Sequence, residues 1–267
     1  MDLNHLCNQV IALAREAGDF LVTESSTFKS HFVETKGLND FVSYVDKESE
    51  RMIVEKLREI LPGSGFIAEE GTGEPVEGGY NWIIDPLDGT TNFVHGIPFY
   101  AVSIALSGPD GELLVGVVHE PNHGECFHAY KGGGAHLNGA PIEVSHADTL
   151  SRGLLATGFP YTDFKHMRQY MRSLRELMQR CHGLRRIGSA ALDLSYVACG
   201  RFEAFFEYNL NPWDVAAGTL LVREAGGKAT TFQNGSDCVF GREMIAAGDI
   251  HPELLEIVYR HFYGDAS

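Results

Sequence analysis

The stretch "WIIDPLDGTTNF", residues 82–93, decides how the chain is read. It opens as a buried strand and then presents Asp85, Asp88, Gly89, Thr90 and Thr91 where the strand ends and a helix begins. A buried carboxylate costs several kcal/mol unless something pairs with it. Because Asp85 and Asp88 stand where the chain turns, their side chains can converge instead of alternating across a sheet. Two other element ends carry acids: "GFIAEEG" closes an apolar strand on Glu69 and Glu70, and "LNPWDVAAG" puts Asp214 in the first turn of a helix. Taken singly, Asp214 reads as an acid favoured by a helix dipole and Asp88-Gly89 as a turn. Taken together, acids at the ends of buried strands suggest an oxygen-rich cage for a hard divalent cation, and Mg²⁺ prefers such donors.

The composition agrees. With 267 residues, 44% apolar and 21% charged, the chain can bury a large core as one α/β unit or two subdomains. A formal charge of −15 argues against a general nucleic-acid or anionic-membrane binder and suits a protein that attracts cations. Five scattered cysteines show no C-x-x-C spacing, and the twelve histidines are not read as metal ligands, so no disulfide framework or zinc site is expected. His95, His119 and His123 read as loop or surface residues. The first twenty residues form an amphipathic helix with Leu3, Leu6, Val10, Leu13, Ala14 and Ala17 on one face, rather than a signal peptide. No membrane span is read, and a cytoplasmic protein is expected.

Helical patterns near 3–24 and 45–60 precede strands near 64–68, 81–85, 100–107, 113–119 and 125–130, which predicts helices on a largely antiparallel sheet. From Leu154 onward short strands alternate with helices near 164–181, 189–199, 212–225 and 251–262, which favours a mixed or parallel sheet. The fold class is therefore α/β (α+β), with a boundary in "VSHADTLS" that gives subdomains 1–146 and 147–267. "KGGGAHLNG" lacks the nucleotide-loop spacings and reads as hairpin turns.

Gly89 leaves the backbone open to close approach, and N–H groups where the next helix begins suit a phosphate. At this point the residues resemble a known family. "WIIDPLDGTTNF" and "PWDVAAGTLLVREAGG" are similar to the two signature stretches of the inositol monophosphatase family, over about residues 5–260. "KGLNDFVSYVD", "AEEG" and "GSAALDLSYVACGRFEAFFE" fall where that family has its motifs. The resemblance implies a layered αβαβα sandwich and a phosphatase using two or three Mg²⁺ ions, sensitive to Li⁺ and forming a homodimer. It implies that Glu69, Asp85 and the Leu87 carbonyl hold one metal, and Asp85, Asp88 and Asp214 the second. Most metal ligands would then belong to 1–146, and the substrate residues and one metal ligand to 147–267. Thr90 with Glu69 would orient the attacking water, supported by Asp46, with Lys36 and Asp40 on an adjoining loop. Gly89 and Thr90 would offer N–H groups to the phosphate, while Ala190 and Glu207 would meet the substrate's hydroxyls.

Other readings stay open. Fructose-1,6-bisphosphatases and nucleotide 3′-phosphatases share the metal motifs, so the ester could be another sugar or nucleotide phosphate. A regulatory protein on the same scaffold is a different class. From Arg152 to Arg186 the chain carries a local charge of +6 against −21 elsewhere. The helix there is expected to bury Phe164, Met167, Met171, Leu174, Leu177 and Met178 and to turn Arg168, Arg172 and Arg175 outward, with Arg185 and Arg186 adding to the patch. That surface reads as solvated or dimer-facing, ahead of a contact with RNA or RNA polymerase.

Overall fold

The chain begins with the expected amphipathic helix α1 (Leu3–Ser25), whose first turn is capped by Asp2 accepting the His5 N–H. A hairpin of β1 (Val33–Gly37) and β2 (Asp40–Ser43) leads into α2 (Tyr44–Ile60). The computed structural model describes residues 1–27, 33–37, 40–160 and 163–264, the segments 33–37 and 40–43 by their backbone alone. The side chains of Lys36 and Asp40 therefore lie outside the described residues.

Seven strands follow: β3 (Gly65–Ala68), β4 (Asn81–Asp88), β5 (Ala101–Ser107), β6 (Leu113–Glu120), β7 (Glu125–Tyr130), β8 (Ala135–Leu137) and β9 (Ala140–Ile142). They form one sheet in sequence order, antiparallel throughout except for the parallel pair β3–β4. The short helix α3 (Thr90–Val94) leaves the end of β4. A second sheet has the order β11-β10-β12-β14-β13, from β10 (Leu154–Thr157), β11 (Gly183–Arg185), β12 (Ala204–Tyr208), β13 (Lys228–Thr230) and β14 (Glu243–Ala247). It is mixed: β10 runs parallel to β11 and β12, while β14 is antiparallel to β12 and β13.

Helices separate and cover these sheets. Leu6, Val10 and Leu21 of α1 and Ile53 and Leu57 of α2 pack with Trp82 and Ile84 on one face of the first sheet. Between the sheets lie α5 (Ala190–Ala198) and α6 (Pro212–Glu224), where Leu194, Val197, Val215 and Leu221 meet Ile83, Val118 and Phe127 on one side and Phe205 and Met244 on the other. The outer face of the second sheet is closed by α4 (Met167–Arg180) and α7 (His251–Tyr259), through Tyr170, Leu177, Phe206, Leu254 and Ile257. The result is the expected αβαβα layering, an arrangement in which each apolar face finds a partner layer.

Two expectations on burial fail. The buried face of α4 is Tyr170, Ser173 and Leu177 with Leu174 half-buried, while Met171 and Met178 are 50% and 67% exposed and Phe164, just before the helix, is exposed as well. The aromatic Tyr170, whose hydroxyl lies against the Gly158 carbonyl, anchors the helix, and the methionines fall about 100° off that face. His119 is buried in β6, packed against Gly18 of α1 with Nδ1 3.2 Å from the Glu125 carbonyl oxygen. The glycine-rich run does form turns. Its Gly132 and Gly134 N–H groups donate to the Glu224 carboxylate, both at 2.9 Å, and Asn138-Gly139 turns with positive φ at both residues. Among the described residues no helix is long and apolar enough to cross a membrane.

Candidate active site

Residues three apart on a regular strand face opposite sides, yet Asp85 and Asp88 share one. The cause is a bulge in β4: Asp85 pairs with Ser103 and Asp88 with Ala101, three steps against two, and Pro86 occupies the irregularity. Packing confirms the switch, since Ile83 faces α5 and α6 while Trp82, Ile84 and Leu87 all face α1 and α2. Asp85 and Asp88 consequently join Ile83 on the inner face, toward the N-terminus of α6. The Leu87 N–H donates to Asp85 Oδ1 at 2.9 Å, which fixes that carboxylate.

Glu69 reaches the same place by a different route. Parallel pairing of β3 with β4 aligns Ala68 with Ile84, and the Glu69 N–H donates to the Ile84 carbonyl, so the residue after β3 stands beside Asp85. The turn that follows is held by Glu50 of α2, fully buried, which accepts the N–H groups of Glu70 and Thr72 at 2.7 and 2.8 Å. Asp46, also on α2 and buried, lies 3.0 Å from the Thr90 hydroxyl. The same hydroxyl is 3.1 Å from the Leu87 carbonyl oxygen, and its one proton serves either acceptor. Gly89, with φ +104°, makes the turn between β4 and α3; a Cβ there would be strained and would press on the Phe99 carbonyl at 3.1 Å.

The second sheet's layer closes the site. Asp88 Oδ2 accepts hydrogen bonds from Ser189 Oγ and the Ala191 N–H, each at 2.7 Å, and so ties β4 to the start of α5. Asp214 is the third residue of α6 and its Oδ2 accepts the Asn211 N–H at 2.7 Å, a helix-capping role that accompanies its place in the cavity wall. Glu69, Asp85, Leu87, Asp88, Gly89, Thr90, Ala190, Glu207 and Asp214 all line one cavity of about 430 Å³. The site residues read from the sequence, Lys36 and Asp40 apart, are thus brought together, with Asp46 adjoining through Thr90.

Several lining residues were not foreseen. Arg186, which the sequence groups with a surface patch, lines the cavity instead, and so do Asp193, Asn209 and Arg242. Arg242 donates to the side-chain oxygens of Asn209 and Asn211 at 2.7 and 3.2 Å, bracing the loop that precedes α6. Glu207, nearly buried on β12, lies against Gly158, where a Cβ would approach its carboxyl oxygen to 2.0 Å. A glycine at 158 is what admits the acid. The arginines follow no local period, and only their position beside "IGSAALD" and "EMIAAG" hints at a role.

The electrostatics of the cavity call for cations. Burial first, then the charges of Glu69, Asp88 and Asp214, hold the Asp85 carboxyl well above the usual carboxylate range. Burial raises Asp88 to about 6 against the opposing pull of the Ser189, Ala191 and Ala190 hydrogen bonds and of Arg186. Burial and Asp88 raise Asp214 to about 7. Glu207 and Asp193 are driven up by burial, and further by Asp214 and by Glu207 respectively. Among the described residues no three such side chains are drawn into a closed metal-holding cluster; they line the wall and repel one another. A set of buried and half-buried carboxylates with a backbone carbonyl beside them is the donor chemistry that hard divalent cations use. The residues present fit such ions.

Comparison with known proteins agrees with this geometry. The model of the inositol monophosphatase family matches residues 2–263. The chain is 41% identical to an inositol-1-monophosphatase of Caulobacter vibrioides, over 92% of this chain and 98% of that one. It is 42% identical to the Nus factor SuhB of Escherichia coli K12, over 91% of each. The crystal structure of the extragenic suppressor protein suhB from Bartonella henselae superposes with a TM-score of 0.88 at 40% identity, covering 94% of this chain and 97% of the other. With the whole length matched and the acids of its two signature stretches lining one cavity, the chain belongs to the inositol monophosphatase family.

Proposed function

We propose that the protein is a Mg²⁺-dependent phosphomonoesterase that converts inositol monophosphate to inositol and phosphate by in-line attack of water on phosphorus, without a covalent phosphoenzyme. The observation that carries this reading is the meeting of Glu69, Asp85, Asp88 and Asp214, from three separate stretches of sequence, in one cavity. Glu69, Asp85 and the Leu87 carbonyl would hold one ion, and Asp85, Asp88 and Asp214 a second. Bound there, the cations would supply a water that ionises near neutral pH and positive charge opposite the leaving oxygen. Thr90, hydrogen-bonded to Asp46 or Leu87, would orient that water together with Glu69, whose carboxylate would take up its proton. The Gly89 and Thr90 N–H groups would meet the phosphate, and Ala190 and Glu207 the alcohol. Lys36 and Asp40 would support the site from the hairpin β1–β2. Phosphate release from inositol 1-phosphate, glucose phosphates, fructose 1,6-bisphosphate and adenosine 3′,5′-bisphosphate tests the substrate class. Inositol 1-phosphate should be the best of the four, and a clear preference for another would move the assignment to that ester.

Glu207 gives this reading a sharper edge. A buried acid beside Asp214 is costly unless it accepts hydrogen bonds from donors such as the hydroxyls of a polyol. Glu207→Ala should therefore lower kcat/KM for inositol 1-phosphate by at least about tenfold more than for p-nitrophenyl phosphate, which offers no hydroxyl to read. Equal losses on both esters would remove Glu207 from substrate recognition.

A second reading has its own observation. On α4, Arg168, Arg172 and Arg175 are exposed together with Met171 and Met178, a basic and apolar surface remote in sequence from the acids. The relatives named Nus factors make contact with RNA or RNA polymerase the second reading for that face, beside a homodimer contact. Replacing the three arginines with Ser should leave phosphate release within about twofold, as surface changes away from a site do. Collapse of turnover in a folded triple variant would make α4 part of the enzyme itself.

A further inference from the structure

One buried acid in the cavity has no part in the proposed hydrolysis. Asp193 is 2% exposed, and its Oδ1 has no hydrogen-bond partner among the described residues. It lies in the first turns of α5, three and four residues after Ala190 and Ser189, so the three share one helix face, and all three line the cavity. An acid early in a helix is ordinarily a surface group that answers the dipole and keeps water on its oxygens. Asp193 is instead enclosed in the wall, where an unmatched polar atom costs on the order of 1–3 kcal/mol.

Its position selects what the missing donor is. Asp88 at the same helix end has its Oδ2 committed to Ser189 and Ala191 and belongs with Asp85 and Asp214 to the acids proposed for the cations, a set that does not include Asp193. Asp193 lines the same cavity as Glu207, the acid proposed for the alcohol, and besides burial its carboxyl feels the charges of Glu207 and Asp88, with Arg186 opposing them. Neither carboxyl would welcome an anion, whereas both would accept hydroxyl donors. Resting on the phosphatase reading above, we infer that Asp193 accepts a hydrogen bond from a hydroxyl of the alcohol moiety. It is a second carboxyl acceptor besides Glu207, added to the Ala190 backbone, so the site selects phosphate esters carrying at least two free hydroxyls.

The test measures kcat/KM for inositol 1-phosphate and p-nitrophenyl phosphate in wild type, Asp193→Ala and Asp193→Asn, with thermal unfolding of each. Asp193→Ala should lose at least about tenfold more on the polyol ester than on the aryl ester, and Asp193→Asn, which keeps an acceptor, should regain part of that loss. Singly deoxygenated inositol phosphates provide an arm independent of Asp193 folding. Wild type should be sensitive to removal of either of the hydroxyls that the two acids accept from, and Glu207→Ala to only one of them. Equal losses on both esters, or a single sensitive hydroxyl in wild type, would overturn the inference and leave the phosphatase reading standing. Wild-type turnover of p-nitrophenyl phosphate without release from any polyol phosphate would overturn the polyol reading itself, and the role of Asp193 with it.

Discussion

Asp88→Asn is expected to lower kcat for phosphate release by about 10²-fold or more while the protein stays folded. The substitution is isosteric, and an Asn side-chain oxygen can still accept from Ser189 and the Ala191 N–H, so the tie between β4 and α5 survives. What disappears is one negative charge at the proposed second ion, while Glu69 and Asp85 remain for the first. Steady-state kinetics alongside thermal unfolding measure both halves of the claim. A well-folded variant with near-normal turnover would sink the two-ion assignment.

Stabilisation by Mg²⁺ should grow steeply between about pH 5 and pH 8, the range in which the site gains its charge. Asp88 and Asp214, whose ordinary carboxyl value is 3.8, are raised to about 6 and about 7 by burial. For an acid whose folded value is raised, its contribution to stability is full below 3.8 and is lost as pH rises through the folded value. The metal-free protein therefore loses stability from these two groups as pH rises from their ordinary 3.8 to about 6 and about 7, on the order of a few kcal/mol each, and above that range it carries the full unpaired charge. Buried His119 and His251 and half-buried His128 are shifted downward and contribute in the opposite direction as pH rises toward 6.5. Taking the Tm with Mg²⁺ minus the Tm with EDTA at each pH cancels the histidines. That difference should be larger at pH 8 than at pH 5 by roughly 5–10 °C for a chain of this size. A difference that is flat with pH would show that the acids do not bind the ion.

Much of the site was legible because acids at the ends of apolar strands are a local signal. Asp85 and Asp88 announce themselves in one stretch, Asp214 in a helix start, and Glu69 at the end of a short strand. The β4 bulge that turns Asp85 and Asp88 to the same face is suggested only by Pro86, and the pairing with Ser103 and Ala101 needed the neighbouring strand. Arg186, Asp193 and Arg242 were missed for a related reason: each enters the cavity through tertiary packing, and no period or motif of its own marks it. The α4 stripe failed because apolar residue type was taken for burial. Tyr170, Ser173, Leu174 and Leu177 hold the i, i+3, i+4, i+7 spacing, and a hydroxyl-bearing pair on that face hid it behind the methionines.

Phosphate release from inositol 1-phosphate by the wild-type protein, titrated with Mg²⁺ and then stripped with EDTA, tests the central claim most directly. The cavity of Glu69, Asp85, Asp88 and Asp214 predicts release that rises from background to saturation with Mg²⁺ and falls back to background with the chelator. Release that persists unchanged in EDTA, or that never exceeds background at saturating Mg²⁺, would contradict it.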